Sequence, residues 1–403
     1  MEREESGSLG SLREGNQDRV VDTLRALGVA SRAEIARQTG LSRSTVSSIV
    51  ADLRGTGVVV DYDGSSQVAP SRGGRPPSLI TLDRSAGAAV GIDFGKRHLS
   101  VAVSDLSHDI LAETTREMPG DYSAAEGMRT ATQLLGRVLK EAGIDRARVL
   151  GVGMGLPGPI HRPTGTVGSS SILPGWVGIP AAEEMARRLS LPVHVENDAN
   201  LGALSEFVWG AGRGCSSLAY LKLATGIGAG LVIDGQLFPG AGGTAGEIGH
   251  TTIDETGDIC RCGNRGCLET VAGAPAVVGL VSRSLDTEVE TEDVLERAAA
   301  GDPVASRALA DAGRHVGVAV ANLCNLVNPE RIVVGGSIGA AGELLLKPMR
   351  DSVRLRAIAT AADDVEIVPG ELGERAELLG AVALVLHETE GAALATRSLA
   401  RAS

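Results

Sequence analysis

The sequence predicts an α/β chain in two parts, a small winged helix-turn-helix module in front of a larger two-lobed body. Three observations carry that expectation. Between residues 17 and 84, three short helical stripes are separated by glycine-bearing turns and followed by an extended arm. From residue 85 onward a strand, glycine turn and strand recur as a unit about 130 residues apart, each copy followed by helical stretches. Three of the five cysteines and a histidine then gather in one loop of the second lobe.

The gross numbers fit such a chain. Its 403 residues allow two or three domains and a sizeable core. Hydrophobic residues at 43% against 22% charged give the balance of a globular protein, and no run of eighteen apolar residues suggests a membrane span. The opening MEREESGSLGSLREGNQ has no apolar stretch, so it reads as a disordered tail over residues 1–16 rather than a secretory signal, and a cytoplasmic address is expected. The net charge of −12 excludes a protein that coats nucleic acid over its whole surface. That charge is uneven. Residues 17–85 hold nine arginines against seven acidic residues, a net of +2, whereas residues 86–403 carry −12. A small DNA-reading module remains open at the front.

Within residues 17–84, Val20, Val21, Leu24 and Leu27 form the first helical stripe, which Gly28 stops. Ser31 can cap a second helix, with Glu34 three residues on and Ile35 and Ala36 facing inward until Gly40. Ser42 is a cap candidate for the third helix, whose inward stripe is Val46, Ile49, Val50 and Leu53. Its other face presents Ser42, Arg43, Ser44, Thr45, Ser47 and Ser48, small polar groups suited to lie close to phosphates and base edges. VVVDYD and SRGGRPPSLITLD read as a β-wing, in which Arg72 and Arg75 could enter a narrow minor groove. Short helices, a tight turn, a wing and local positive charge together indicate a reader of double-stranded DNA.

The body divides into a first lobe at residues 85–205 and a second at 206–403, with a C-terminal helix able to pack back on the first lobe. AVGIDFGKRHLSVAVSDL and SLAYLKLATGIGAGLVIDGQLF are the two Gly-turn hairpins, and a cleft between the lobes is the natural ligand site. In HTTIDETGDICRCGNRGCLE, His250, Cys260, Cys262 and Cys267 have the donor set of a tetrahedral zinc site; with all four bound the zinc is structural. Cys215 and Cys324 lie in apolar or small-residue settings and read as inert fillers. VHVENDAN ends a strand in Glu196, Asn197 and Asp198, and a carboxylate there could accept a proton from a hydroxyl. GLPGP, including Gly158, can present backbone groups to a polar ligand, while Glu247 and Glu269 flank the metal loop. Carboxylates and an amide converging there suit a polyol.

These residues together resemble the ROK family of repressors, open reading frames and sugar kinases, and the resemblance covers nearly the whole chain. It implies an actin-like, hexokinase-like ribonuclease-H duplication. It places Asp198 at the position of the kinases' catalytic base, Asn197, Asp198, Glu247, His250 and Glu269 at sugar contacts beside the Gly158 loop read above, and His250, Cys260, Cys262 and Cys267 at the zinc site. Three departures stand out. The kinases' Asp-x-Gly-Gly-Thr is here Asp93-Phe94-Gly95-Lys96-Arg97, placing long cations where the backbone should approach phosphates. The expected Gly-Thr-Gly is Ala224-Thr225-Gly226, and an expected asparagine before LPGW is Ile172. The expectation is therefore a bacterial sugar-responsive regulator, a repressor of carbohydrate uptake or metabolism, with a sugar or sugar-phosphate effector, operator DNA as partner and a homodimeric or homotetrameric assembly, nucleoid-associated when bound. ATP and Mg²⁺ are not expected as cofactors. The alternative is an ATP-dependent, glucokinase-like sugar kinase with an attached DNA-binding domain, in which Asp198 is catalytic.

Overall fold

A computed structural model describes residues 15–17, 19–21, 23–24, 27–55, 57–62, 78–83, 87–162, 164–168 and 172–387. The expected disordered tail at 1–16 for the most part, the wing arginines Arg72 and Arg75, and the Ala-rich stretch after residue 387 lie outside the described residues.

The head is built from helix α1 within residues 15–27, strand β1 (Val29–Ser31), helices α2 (Arg32–Thr39) and α3 (Arg43–Gly55), and strands β2 (Val59–Asp61) and β3 (Leu79–Leu82). Ser31 caps α2 by accepting the Glu34 N–H at 3.2 Å, and Gly40 ends that helix at φ 68°. The three strands pair antiparallel in the order β1-β3-β2. Val20, Leu24, Ile35, Val46, Val50, Val59 and Ile80 close one small core between helices and sheet. Leu27, at the end of the first stripe, is 39% exposed, because the chain turns away from the core at Gly28 to begin β1.

Each lobe of the body carries a five-stranded sheet of the same topology. In the first, β4 (Ala88–Phe94), β5 (His98–Asp105) and β6 (Ile110–Glu117) form an antiparallel meander, and β7 (Val149–Leu156) and β10 (Val193–Asn197) add parallel strands beside β4. In the second, β11 (Leu218–Leu223), β12 (Ile227–Ile233) and β13 (Gln236–Leu237) repeat the meander, and β14 (Arg331–Gly335) and β15 (Glu366–Pro369) add parallel strands beside β11. The spatial orders β10-β7-β4-β5-β6 and β15-β14-β11-β12-β13 superpose element for element. A small hairpin of β8 (Ile160–His161) and β9 (Thr166–Val167) lies between β7 and β10 in sequence.

The outer face of each sheet is covered by amphipathic helices. Helices α4 (Ala124–Ala142) and α5 (Ala181–Leu189) close the first core with Leu135, Val138 and Met185. In the second lobe α7 (Glu269–Ala272), α8 (Ala274–Leu285), α9 (Thr291–Ala299), α10 (Pro303–Val327), α11 (Glu343–Arg356) and α12 (Ala359–Asp364) follow, with Val316, Val320, Leu345 and Met349 in the core. Among the described residues no helix is long and apolar enough to cross a membrane.

Two further helices run between the lobes. Helix α6 (Asp198–Val208) follows the last strand of the first sheet but packs on the second, with Ala199 and Ala203 against Gly230 of β12 and Gly202 under the Tyr220 ring. The lobe boundary drawn at residue 205 therefore falls inside α6. Helix α13, residues 376–387, follows the last strand of the second sheet and packs on the first. Its Leu378, Val382, Val385 and Leu386 cluster with Ala89 and Ala102. The two helices meet where Gly380 lies against the Leu201 carbonyl, so close that a Cβ would stand 2.0 Å from that oxygen. Gly153 of β7 lets α13 settle equally close: a Cβ there would stand 1.8 Å from the Ala381 carbonyl oxygen. Exchange of Gly153 for Ala is expected to destabilise the chain by about 1–3 kcal/mol, through backbone displacement of α13. Urea unfolding monitored by fluorescence checks this; an unchanged midpoint would mean that α13 rides freely on the first sheet.

Candidate functional site

The metal-type loop follows β13. After Glu247 a single 3-10 turn, Ile248–His250, brings His250 inward, and the chain returns over itself through bridges pairing Thr252 with Cys267 and Ile259 with Arg265. Positive φ at Gly263 (94°) and Gly266 (66°) supplies the two reversals. At Gly266 a Cβ would collide with the Asp254 carbonyl, so no other residue fits that turn. The ligand atoms of His250, Cys260, Cys262 and Cys267 all lie within 4.8 Å of one another. Sγ of Cys260 is 3.5 Å from Nδ1 of His250, and Sγ of Cys262 is 3.7 Å from Sγ of Cys267. Those separations match the edges of a tetrahedron whose metal–sulfur bonds are about 2.3 Å long. Three thiols and one imidazole converging without a disulfide can hold a metal ion, and all four predicted ligands are part of that cluster.

The ENDAN segment ends β10 and starts α6. Asn197 Oδ1 caps the helix by accepting the N–H groups of Ala199 at 2.8 Å and Asn200 at 3.3 Å. Its amide nitrogen donates to the Gly158 carbonyl at 2.9 Å, which fixes the GLPGP loop to the helix start. Glu196 turns the other way. Its Oε1 accepts the Asn197 N–H and the Asn200 side chain, at 2.8 and 2.9 Å, so it is a bracing group. Asp198 Oδ1 takes the Ala199 N–H at 2.9 Å, and Oδ2 takes the Lys222 ammonium at 2.9 Å.

Lys222 is not marked out by any local pattern, and it pairs with a carboxylate on each of the two interlobe helices. It projects from β11 and also reaches Glu377 Oε1 on α13 at 3.2 Å, with Tyr220 donating to the same oxygen at 3.4 Å. Its side chain is 20% exposed. Burial alone would pull the ammonium's pKa down; the charges of Asp198, Glu377 and Asp93 reverse this and hold it above its ordinary value. Burial pushes Glu377 up, against the pull of Lys222. The available signal was a lysine inside the apolar strand LAYLKL, one of only four lysines in the chain.

Two more expected ligand contacts enter from the second lobe. Glu269 begins α7, and its Oε2 accepts from Arg261 at 2.6 Å and from the Ile227 N–H at 3.1 Å. Arg261, between two of the cysteines, thus links the metal loop to the second Gly hairpin. Among the described residues no lysine or arginine pairs directly with Glu247, and the charge of Arg261 only partly lowers its pKa. Burial, with the charges of Asp198 and Glu269, pushes its carboxyl up to about 7. His250 Nε2 lies 3.9 Å from Glu247. The structure brings together Gly158 with Asn197, Asp198 with Lys222, Glu269 with Arg261 of the metal loop, and His250 with Glu247.

The first hairpin differs from its expected form. Lys96 and Arg97 are exposed at its tip, where Arg97 stands 3.7 Å from Glu290 at the start of α9. His98 does not join them as a third cation facing a ligand. It folds back over Gly95, and its Nε2 lies 2.7 Å from Oδ2 of the buried Asp93. The hydrogen bond to Asp93 raises the His98 pKa, partly opposed by burial. In the head, Ser42 Oγ caps α3 by accepting the Thr45 N–H at 3.1 Å. Ser42, Arg43, Ser44, Ser47 and Ser48 are exposed on one helix face and Thr45 is half-buried.

The chain belongs to the ROK family, whose pattern matches residues 89–388. It is 31% identical over 390 residues to a xylose repressor of Caldicellulosiruptor bescii, covering 94% of this chain and 96% of that one. A solved ROK family transcriptional regulator, a homologue of the E. coli MLC protein, covers 96% of this chain at 26% identity, with a TM-score of 0.79. A ROK glucokinase of Streptomyces griseus, solved with glucose and AMPPNP, covers 74% of this chain at 30% identity and a TM-score of 0.66.

The Asp93–His98 pair gives a pH signature. Because the folded-state pKa of His98 is raised above about 6.5, its stabilisation is full below that value and is lost as pH rises through the folded pKa. Thermal melts of the wild type and His98→Gln should differ more at pH 5.5 than at pH 8.5. A difference that grows with pH would refute the pairing.

Proposed function

We propose that this ROK chain is a sugar-responsive transcription regulator, a repressor of carbohydrate uptake or metabolism. The observation that carries the reading is extent. The regulators align over 94–96% of this chain, which includes the head, whereas the glucokinase aligns over 74% of it, about the length of the body. The head at residues 17–84 contacts operator DNA through Ser42, Arg43, Ser44, Thr45, Ser47 and Ser48, with Arg72 and Arg75 of the wing reaching the minor groove. Two heads reading two half-sites require a homodimer or a dimer of dimers.

In this reading the cleft between the lobe at 85–205 and the lobe at 206–403 binds a sugar or sugar phosphate. Asp198, Glu247 and Glu269 accept its hydroxyls, Asn197 and the Gly158 loop border it, and His250 Nε2 lies beside Glu247. The ion at His250, Cys260, Cys262 and Cys267 is zinc, since three thiolates and an imidazole at tetrahedral spacing favour it. With four protein ligands it supplies structure: it holds the loop from which His250, Arg261 and Glu269 project. The long side chains at Lys96 and Arg97 and the Lys222 contact with Asp198 argue against phosphoryl transfer as the main activity.

A full-length chain used to select from a random DNA pool should enrich a palindromic sequence. One or more of D-xylose, D-glucose, N-acetylglucosamine and their phosphates should then weaken operator binding at least tenfold. Failure to enrich any sequence, or ATP-dependent phosphorylation of a sugar that Asp198→Asn abolishes, would overturn the reading in favour of the kinase.

Elemental analysis of the purified chain should give one zinc per chain, and Cys262→Ser should lower this below a tenth. That variant should still bind the selected operator and lose its response to sugar. Full zinc content in the variant would remove Cys262 from the ligand set.

A further inference from the structure

Lys222 is the least expected feature of the cleft, and neither the metal centre nor the ligand contacts explain it. Its ammonium touches one carboxylate on each of the two helices that run between the lobes, Asp198 at the start of α6 and Glu377 at the start of α13. It stands on β11, the central strand of the second sheet. One cation therefore joins α6, the next strand β11 and the distant helix α13. The two helices touch again along Leu201, Leu204, Ala381 and Leu384, with Gly380 on the Leu201 carbonyl.

We infer that Lys222 is a positioning residue that fixes Asp198 toward the cleft and ties the two interlobe helices to the second sheet. With Oδ1 on the Ala199 N–H and Oδ2 on Lys222, the Asp198 carboxylate has one orientation, and a ligand hydroxyl meets its remaining acceptor positions. A ligand that draws on Asp198 changes the balance of the triad, and Glu377 carries that change to α13, which lies on the first sheet. The use of the tie by a sugar rests on the proposed function above. The tie itself is tested without sugar or DNA, so its failure is distinct from the failure of that reading.

The groups facing Lys222 are Asp198 on α6, Glu377 on α13, Tyr220 on β11, and Asp93 and His98 on the first hairpin, with Glu247 coupled to Asp198. In Lys222→Met, Asp198 and Glu377 lose their cation while staying buried. Unpaired buried carboxylates bind protons more readily in the folded than in the unfolded chain, so falling pH favours the folded variant. The melting-temperature deficit of Lys222→Met against the wild type should therefore be at least twofold smaller at pH 5.5 than at pH 8. Hydrogen exchange at pH 7 should rise at least tenfold in residues 198–208 and 376–387, while residues 27–55 and 98–117 exchange as in the wild type. Should Lys222→Met fail to fold, the double variant with Glu377→Gln, which leaves one unpaired carboxylate, carries the same two measurements. An equal deficit at both pH values would reduce Lys222 to a packing role. Unchanged exchange in the two helices, or a uniform rise everywhere, would overturn the tie.

Discussion

The architecture turns on the place where α6 and α13 cross. Each helix leaves one lobe and packs on the other, so the lobes are fastened by exchange rather than by a flat interface. The approach is set by residues without side chains: Gly380 against Leu201, Gly153 against Ala381, and Gly230 against Ala199. Dense contact of this kind resists continuous deformation, so the lobes move as bodies about the crossing or not at all. Asp198 and Glu377 both stand on the first turn of these helices.

The same crossing explains the electrostatics. Bringing two helix starts and two sheets together buries several carboxylates, and an unpaired buried charge is costly. The chain answers most of them with a cation of its own: His98 for Asp93, Lys222 for Asp198 and Glu377, Arg261 for Glu269. Glu247 is the contrast, and its carboxyl is correspondingly pushed up to about 7. Phosphoryl transfer needs free acceptors and room for a metal-bound phosphate at such a centre. A hydroxyl-bearing ligand needs only acceptors held in fixed directions, which paired carboxylates still provide.

Much of this was legible in the sequence where local chemistry decides the outcome. The inward stripe Val46, Ile49, Val50 and Leu53, the Ser31 cap, the duplicated hairpins and the loop bringing His250 to three cysteines all follow from periodicity, capping and ligand spacing. What was illegible depends on contacts across the fold. Lys222 and Glu377 are 155 positions apart, and no local pattern pairs them. His98 follows Lys96 and Arg97 in sequence, yet hairpin geometry turns its ring back onto Asp93 while Lys96 and Arg97 are exposed. Asn197 reads as a ligand amide, and the structure also employs it as the cap of α6.

A ligand can shift a protein between two arrangements only by binding one better than the other. A sugar held by one lobe alone would bind equally well at any lobe spacing and switch nothing. Asn197 and Asp198 stand where the first sheet passes into α6, whereas Glu247, His250 and Glu269 belong to the second lobe. A ligand spanning these groups gains its full set of contacts at one spacing only, which is the differential affinity a switch requires. Transmission to the head is short. Five residues separate the end of β3 at Leu82 from the start of β4 at Ala88, a connection no longer than roughly 20 Å when extended. A connection that short limits how far a rotation of the first lobe can proceed without moving the head. In a dimer held by the bodies, small rotations of that kind change the distance between the two recognition helices, and half-site spacing on DNA tolerates little change.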